Sequence, residues 1–181
     1  MNQGNKKLII LGSLIVIGIT AFYCYQKLIK GESTIIPQND YKNISYQIEG
    51  QDITLINGIA ETQIVPDSTS KNIAKFFGNE VFADFNNDNL EDIAFLLTQD
   101  KGGSGTFYYL VAAIKNKNGY TGTNAILIGD RIVPQTINFN NGEIIVNYAD
   151  RKIDEPMTTQ PSLGVSRYFK VSEGVLIEVL K

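Results

Sequence analysis

The sequence predicts a mostly β domain of antiparallel hairpins, folded as a sandwich, a barrel or a strongly bent sheet with one or two short helices, behind an N-terminal transmembrane helix. Three observations carry that expectation. An uncharged apolar run lies close to the N-terminus, short β-rich runs are punctuated by Asn-Gly and Glu-Gly pairs, and the middle of the chain holds near-continuous hydrophobic runs of strand length. At 181 residues, 43% hydrophobic and 19% charged, the chain suits one domain plus accessories and is too apolar to be disordered.

The chain begins "MNQGNKKLIILGSLIVIGITAFYCYQKLIK". Leu8 to Tyr25 is an uncharged stretch of 18 residues, which as a helix reaches ~27 Å and just crosses a hydrocarbon core. Lys6 and Lys7 precede it and Lys27 and Lys30 follow, so lysine counting alone does not orient it. A short basic N-terminus ahead of an apolar run is how an export signal starts, which places the rest of the chain outside the cytoplasm. Residues 1–26 read as the signal anchor, 27–40 as a polar tether and 41–181 as the exported domain. Cleavage after Ala21 would make the protein secreted instead, while Tyr23 before Cys24 argues against a lipoprotein. Cys24 is the only cysteine, so the exported part has no disulfide and depends on its core or on a bound ion.

Charge and composition then narrow the function. Beyond residue 30 the chain carries a net charge of −7, which argues against nucleic acid and anionic membrane surfaces as partners of the outer domain. There is no His, which removes the commonest general base and the usual activator of Ser or Cys.

The elements follow in order. "DITLINGIAETQI" reads as a hairpin around Asn57-Gly58, because both turn residues tolerate positive φ. "TSKNIAKFF", after the Pro66-Asp67-Ser68 turn, reads as the one short helix, capped by Ser68, Thr69 or Ser70. "EVFADF", "DIAFLLT" and "TFYYLVAAI" read as central strands buried on both faces. "TNAILIGD" is open between a strand and a helical turn. "IVPQTINFNNGEIIVNYAD" and "VSRYFKVSEGVLIEVL" repeat the hairpin device at Asn141-Gly142 and at Ser172, Glu173 and Gly174. In the last, Val165, Arg167, Phe169 and Val171 alternate against Ser166, Tyr168, Lys170 and Ser172, as on a half-buried strand. Seven to nine strands are expected.

The stretch "FADFNNDNLEDIAFLL" carries the strongest chemistry. Asp84, Asn86, Asp88 and Asp92 offer side-chain oxygens at positions 1, 3, 5 and 9 of a loop, and Leu90 at position 7 offers its backbone carbonyl. Calcium takes six to eight oxygens at ~2.3–2.6 Å, so a tight turn aiming alternate side chains inward suits it. Three Asp in nine residues are unfavourable if empty and favourable around a divalent ion. An EF-hand would need Glu at position 12, where Phe95 stands. The alternative is an Asx-rich turn whose side chains bond their own backbone.

This stretch resembles the calcium loops of FG-GAP and VCBS repeats, D-x-[DN]-x-D-G-x-x-D, with Asn89 in place of the usual Gly. Those repeats build propellers from several copies, and the single copy here argues against one. Together with "GGSGTFYYLVAAI", "NAILIGDRI" and "DEPMTTQPS", the loop is similar to a family of exported bacterial proteins without an assigned activity. The resemblance spans about Tyr41 to Leu180 and implies export and one domain.

Other candidates are weaker. "KGGSGTFYYL" fails the nucleophile-elbow pattern at Thr106 and offers Ser104 no His. Ala149 to Gly164 reads as a long solvated loop with an Arg–Asp pair, in which Asp154 and Glu155 point apart. Asp130-Arg131 reads as a strand-end ion pair. The sequence therefore favours a non-catalytic, membrane-anchored envelope protein with a calcium-stabilised binding or structural domain, its ligand a glycan, a peptide or another envelope protein. A calcium-dependent or carboxylate-based hydrolase of cell-wall or carbohydrate substrates, and an accessory subunit of an envelope complex, are the alternatives. Facing carboxyls in a cleft would favour the hydrolase, and an aromatic patch near Tyr108 and Tyr109 would favour binding.

Overall fold

A computed structural model describes residues 40–63 and 71–181. The expected N-terminal helix and nearly all of the expected tether lie outside the described residues. Among the described residues no helix is long and apolar enough to cross a membrane. At Asp40 the carboxylate accepts hydrogen bonds from Lys42 N–H at 2.9 Å and Asn43 Nδ2 at 2.8 Å and so caps a 3-10 turn, Tyr41–Asn43.

The rest is antiparallel β structure in three sheets. β1 (Ser45–Ile48) and β2 (Gln51–Thr54) form a hairpin. The central sheet runs β3 (Ile59–Gln63), β4 (Lys71–Ala83), β5 (Asp92–Asp100), β6 (Phe107–Asn116). The far side of β6 is shared by β7 (Gly119–Gly122), paired with Ala113–Asn116, and β8 (Ile126–Asp130), paired with Phe107–Leu110. The third sheet has the order β12-β11-β10-β9, from β9 (Val133–Asn140), β10 (Glu143–Asp150), β11 (Leu163–Ser172) and β12 (Val175–Val179).

Pleating of β5 and β6 divides the core in two. Ile93, Phe95 and Leu97 with Tyr109, Val111 and Ala113 pack beneath the first hairpin, against Tyr46, Ile48, Ile53 and Leu55. Ala94, Leu96, Leu110 and Ala112 face the third sheet and pack on Ile144, Val146, Tyr148, Phe169 and Leu176. The near-continuous apolar runs of β5 and β6 are what burial on both faces requires. Each fully buried Leu, Ile or Phe contributes roughly 1.5–3 kcal/mol relative to exposure. On β11 the expected alternation holds: Phe169 is buried while Ser166, Lys170 and Ser172 are exposed.

Five expectations change. "EVFADF", expected to be buried on both faces, ends β4 with Phe82 49% exposed. Strands number twelve among the described residues, because four-residue pieces such as β1, β2 and β7 also pair. The expected helix "TSKNIAKFF" is overturned from Lys71 onward, where the chain enters β4; Ser68, Thr69 and Ser70 lie outside the described residues. β3 and β5 flank this segment and bond both its edges, with Ala74 opposite Ala60 on one side and Gln99 on the other. Ala74 is buried and Phe76 packs on the same core at strand spacing, so tertiary pairing outweighs the local helical preference. "TNAILIGD" resolves into β8.

Asn57-Gly58 forms a tight turn with φ of 52° and 80°, but the two arms pair only at Ile56 and Ile59. Gly58 N–H donates to Lys42 O at 2.8 Å and Phe76 N–H to Gly58 O at 2.7 Å, so the turn is a corner that carries the chain from the first hairpin into the central sheet. Asn141-Gly142 and Glu173-Gly174 close true hairpins, with Asn140 opposite Glu143 and Ser172 opposite Val175.

Candidate metal loop and polar groove

The acidic stretch connects β4 to β5, two adjacent antiparallel strands. It coils around Asp84. The Asp84 carboxylate accepts N–H bonds from Asn89 at 2.8 Å, Asp88 at 3.2 Å and Asn86 at 3.3 Å. Asn86 Oδ1 accepts from Asp88 N–H at 3.0 Å, Asp88 Oδ1 from Leu90 N–H at 2.8 Å, and Asn86 Nδ2 donates to Asp88 Oδ2 at 2.9 Å. Such coiling needs left-handed backbone, found at Asn87 (φ 63°) and Asn89 (φ 65°), and Asn is the side chain that tolerates it best after Gly.

Asp92 is held differently. It is completely buried at the start of β5, where Oδ2 accepts from Phe85 N–H at 2.9 Å and Oδ1 from Lys115 N–H at 2.8 Å. It thereby ties the root of the loop to the end of β6. Burial raises its pKa; the two N–H bonds oppose that rise, and the charges of Asp88 and Asp84 add to it. For Asp84 burial also acts upward, but the loop N–H groups outweigh it and hold the carboxyl below its ordinary range. No salt bridge among the described residues reaches Asp84, Asp88 or Asp92, whereas Glu49, Glu61, Asp130, Glu143 and Glu178 each have a cationic partner.

As arranged, the loop is an Asx-rich turn. Among the described residues no three Asp, Glu, His or Cys side chains are gathered into a cation cage. A single carboxylate accepts about four hydrogen bonds, and Asp92 receives two. Hard oxygens of this kind are what calcium takes, and as arranged Asp84 and Asp88 accept from loop N–H groups rather than converging with Asp92.

The other expected sites are structural. Lys101, at the head of the "KGGSG" loop, pairs with Glu49 at 2.7 Å, and Glu49 also accepts from Tyr109 Oη–H at 2.8 Å. Tyr109 is inside the protein, whereas Tyr108 is half-buried and packs edge-on at 5.2 Å against Phe77, which is 43% exposed, so one aromatic pair stands at the surface beside it. Asp130 and Arg131 do pair, at 2.8 Å, and Asp130 also accepts from Thr106 N–H at 2.9 Å. The long loop is shorter than expected, since β10 reaches Asp150 and β11 begins at Leu163. Its Arg151 side chain grips backbone carbonyls of Thr159 and Arg131 instead of a carboxylate. Asp154 is exposed and Glu155 accepts from Lys152 N–H at 2.9 Å, so the two do not act as a pair.

A feature without a sequence signal is a groove of about 900 Å³ between the first hairpin and the β6–β7 turn. At its floor β1 runs parallel to the link between β7 and β8, with Gln47 N–H on Thr123 O at 3.1 Å and Ala125 N–H on Gln47 O at 2.7 Å. Gly122 makes that approach possible, because a Cβ there would lie 2.2 Å from Ser45 O. Hydroxyls and amides drawn from strands far apart in sequence, including Ser45, Thr54, Asn116 and Thr121, share the walls with Asp52, Lys117 and Tyr120. Compared with known proteins, the chain matches no family model, no curated protein and no solved structure.

Proposed function

We propose that this is a non-catalytic envelope protein: residues 1–26 anchor it in a membrane, and the β domain lies outside the cytoplasm as a binding or structural module braced by calcium. The domain reads as a sandwich of the central and third sheets with the first hairpin as a further layer. Asp84, Asn86, Asp88 and Asp92 would hold the ion by their side chains and Leu90 by its carbonyl, as in the FG-GAP and VCBS loops that the stretch resembles. Calcium would supply the positive charge that Asp92 lacks. The observation that carries this reading is Asp92 itself, fully buried within reach of the charges of Asp84 and Asp88, with no salt bridge among the described residues to any of the three. Extracellular calcium sites work on the order of 10⁻⁴ to 10⁻³ M, which agrees with an exported domain. Against catalysis stand the lack of His and the single acid, Asp52, in the groove.

The test is thermal unfolding of the full chain in detergent, with EDTA, with millimolar calcium and with magnesium. At a hundredfold excess over Kd calcium adds ~2.7 kcal/mol, a shift of several degrees for a domain of this size. The shift is specific to calcium and absent in Asp88→Ala. A metal-free sample whose melting calcium does not move leaves the loop an ordinary turn.

A further inference from the structure

We propose that the groove between the first hairpin and the β6–β7 turn binds an uncharged oligosaccharide. The inference deepens the binding-module reading and rests on it, but not on calcium. Its polar walls are fixed before any ligand arrives. Ser45 Oγ and Thr54 Oγ1 bond each other at 2.7 Å; Asn116 Nδ2 donates to Thr121 Oγ1 at 3.0 Å while Asn116 Oδ1 accepts from Asn118 N–H at 2.8 Å. Fixed donors and acceptors lose little freedom on binding.

Three lining side chains, Asp52, Lys117 and Asn118, make no hydrogen bond or ion pair to other described residues and stand ready for a ligand. A carboxylate only accepts, an ammonium only donates and an amide does both. That mixture matches sugar hydroxyls, each of which donates and accepts. A peptide would need apolar pockets for its anchors; of the larger apolar side chains in the lining, Ile44 is only 7% exposed, and the half-buried Tyr120 has its ring taken up by Tyr41 edge-on at 6.0 Å and by Lys115 Nζ at 4.2 Å. A nucleic acid or an anionic polymer meets one lysine, offset by Asp52, on a domain (41–181) of net charge −5. The volume falls within the roughly 300–1,000 Å³ of small-molecule sites.

The experiment is titration of ¹⁵N-labelled full chain, in a detergent without a sugar headgroup, with cellotetraose, maltotetraose and tetra-N-acetylchitotetraose. At least one should move the amides of Ser45, Thr54 and Lys117 to Gly122 saturably at millimolar concentration. Asp52→Ala and Asn118→Ala should each weaken binding about tenfold, the effect of one well-placed hydrogen bond to a charged group or its equivalent, with unchanged melting. If none of the three moves those amides, or if both variants bind as the parent does, the proposal is wrong. A calcium titration of the same sample reports on residues 84 to 92 separately, so failure of the metal site and failure of the groove give different spectra.

Discussion

The side chain of Asn124 gives Leu176 both hydrogen bonds of a missing strand partner: Leu176 N–H donates to Oδ1 at 2.8 Å and Nδ2 donates to Leu176 O at 3.0 Å. The two residues are 52 positions apart, one between β7 and β8, the other on the edge strand β12. Next to Asn124, Thr123 N–H donates to Ala112 O at 2.9 Å and Gln47 pairs with the same segment from the first hairpin. One short link therefore joins all three sheets and covers part of an edge that would otherwise present unpaired backbone.

Asn124→Ala should consequently be among the most destabilising polar substitutions. It removes two hydrogen bonds and leaves the backbone polar groups of Leu176, a residue 2% exposed, without partners. A loss of about 2–4 kcal/mol follows from two unmet buried groups, read from urea unfolding. A loss below about 0.5 kcal/mol, the range of ordinary surface changes, would mean that water replaces the amide fully.

With the proposed calcium site, Asp92 would make the domain's pH response depend on metal. Its pKa is raised in the folded state, so without metal its contribution is greatest below the ordinary value of 3.8 and is lost as pH rises through the folded pKa. Calcium at the proposed site would bind the ionised form and reverse that sign. The stability difference between the parent and Asp92→Asn should therefore shrink with rising pH in EDTA and grow with rising pH in calcium. Parallel curves in the two buffers would remove Asp92 from the proposed site.

The parts of this fold that were legible in sequence are those governed by neighbours in the chain. Asn141-Gly142 and Glu173-Gly174 close hairpins because a two-residue turn needs positive φ at both positions, a local demand met by local residues. Phe95 and Leu96 advertise a strand covered on both faces because each is apolar. What was not legible depends on partners far away. Lys71 to Phe77 is helix-compatible until β3 and β5 take its edges. Asn57-Gly58 has hairpin chemistry, but Lys42 and Phe76 claim its backbone and turn it into a corner. The acidic loop was visible as a set of oxygens, while the burial of Asp92 under a β6 amide, Lys115 N–H, was not. Asn124 carries no sequence signal, since an amide's role as strand partner exists only once β12 has arrived beside it.

Arg167 alternates with Ser166 and Tyr168 on β11, and its guanidinium links that strand to β12 and β8. Nε and Nη2 donate to Glu178 at 2.7 and 2.6 Å, and Nη1 donates to the Leu127 carbonyl at 2.7 Å and that of Ile128 at 3.2 Å. A lysine reaches fewer of these acceptors and lacks the planar fork, so Arg167→Lys should cost about 1–3 kcal/mol. The Arg167 hydrogen bond lowers the Glu178 pKa, so the pair's contribution is present above the ordinary value of 4.5 and is lost as pH falls through the depressed one. Chemical unfolding from pH 7 to 3 should show parent and variant converging in acid. A gap that stays constant would assign the cost to packing alone.

Gly122 tests whether the groove's floor is a contact or a coincidence. A methyl group there would sit 2.2 Å from Ser45 O and 2.8 Å from Tyr46 Cδ1, and the first of these is backbone, which cannot swing aside. Either β1 lifts from the link between β7 and β8, breaking the Gln47 bonds, or the strain stays in place. Overpacking of this kind costs about 1–3 kcal/mol. Gly122→Ala should therefore lower stability by that amount and raise hydrogen exchange at Gln47 and Ala125, whose amides bond across the junction, while Lys170 and Ile177 in the third sheet keep their protection. Uniform loss of protection through all three sheets would show that the junction unfolds only with the whole domain, and unchanged exchange at Gln47 that β1 and β7 do not meet as closely as Gly122 allows.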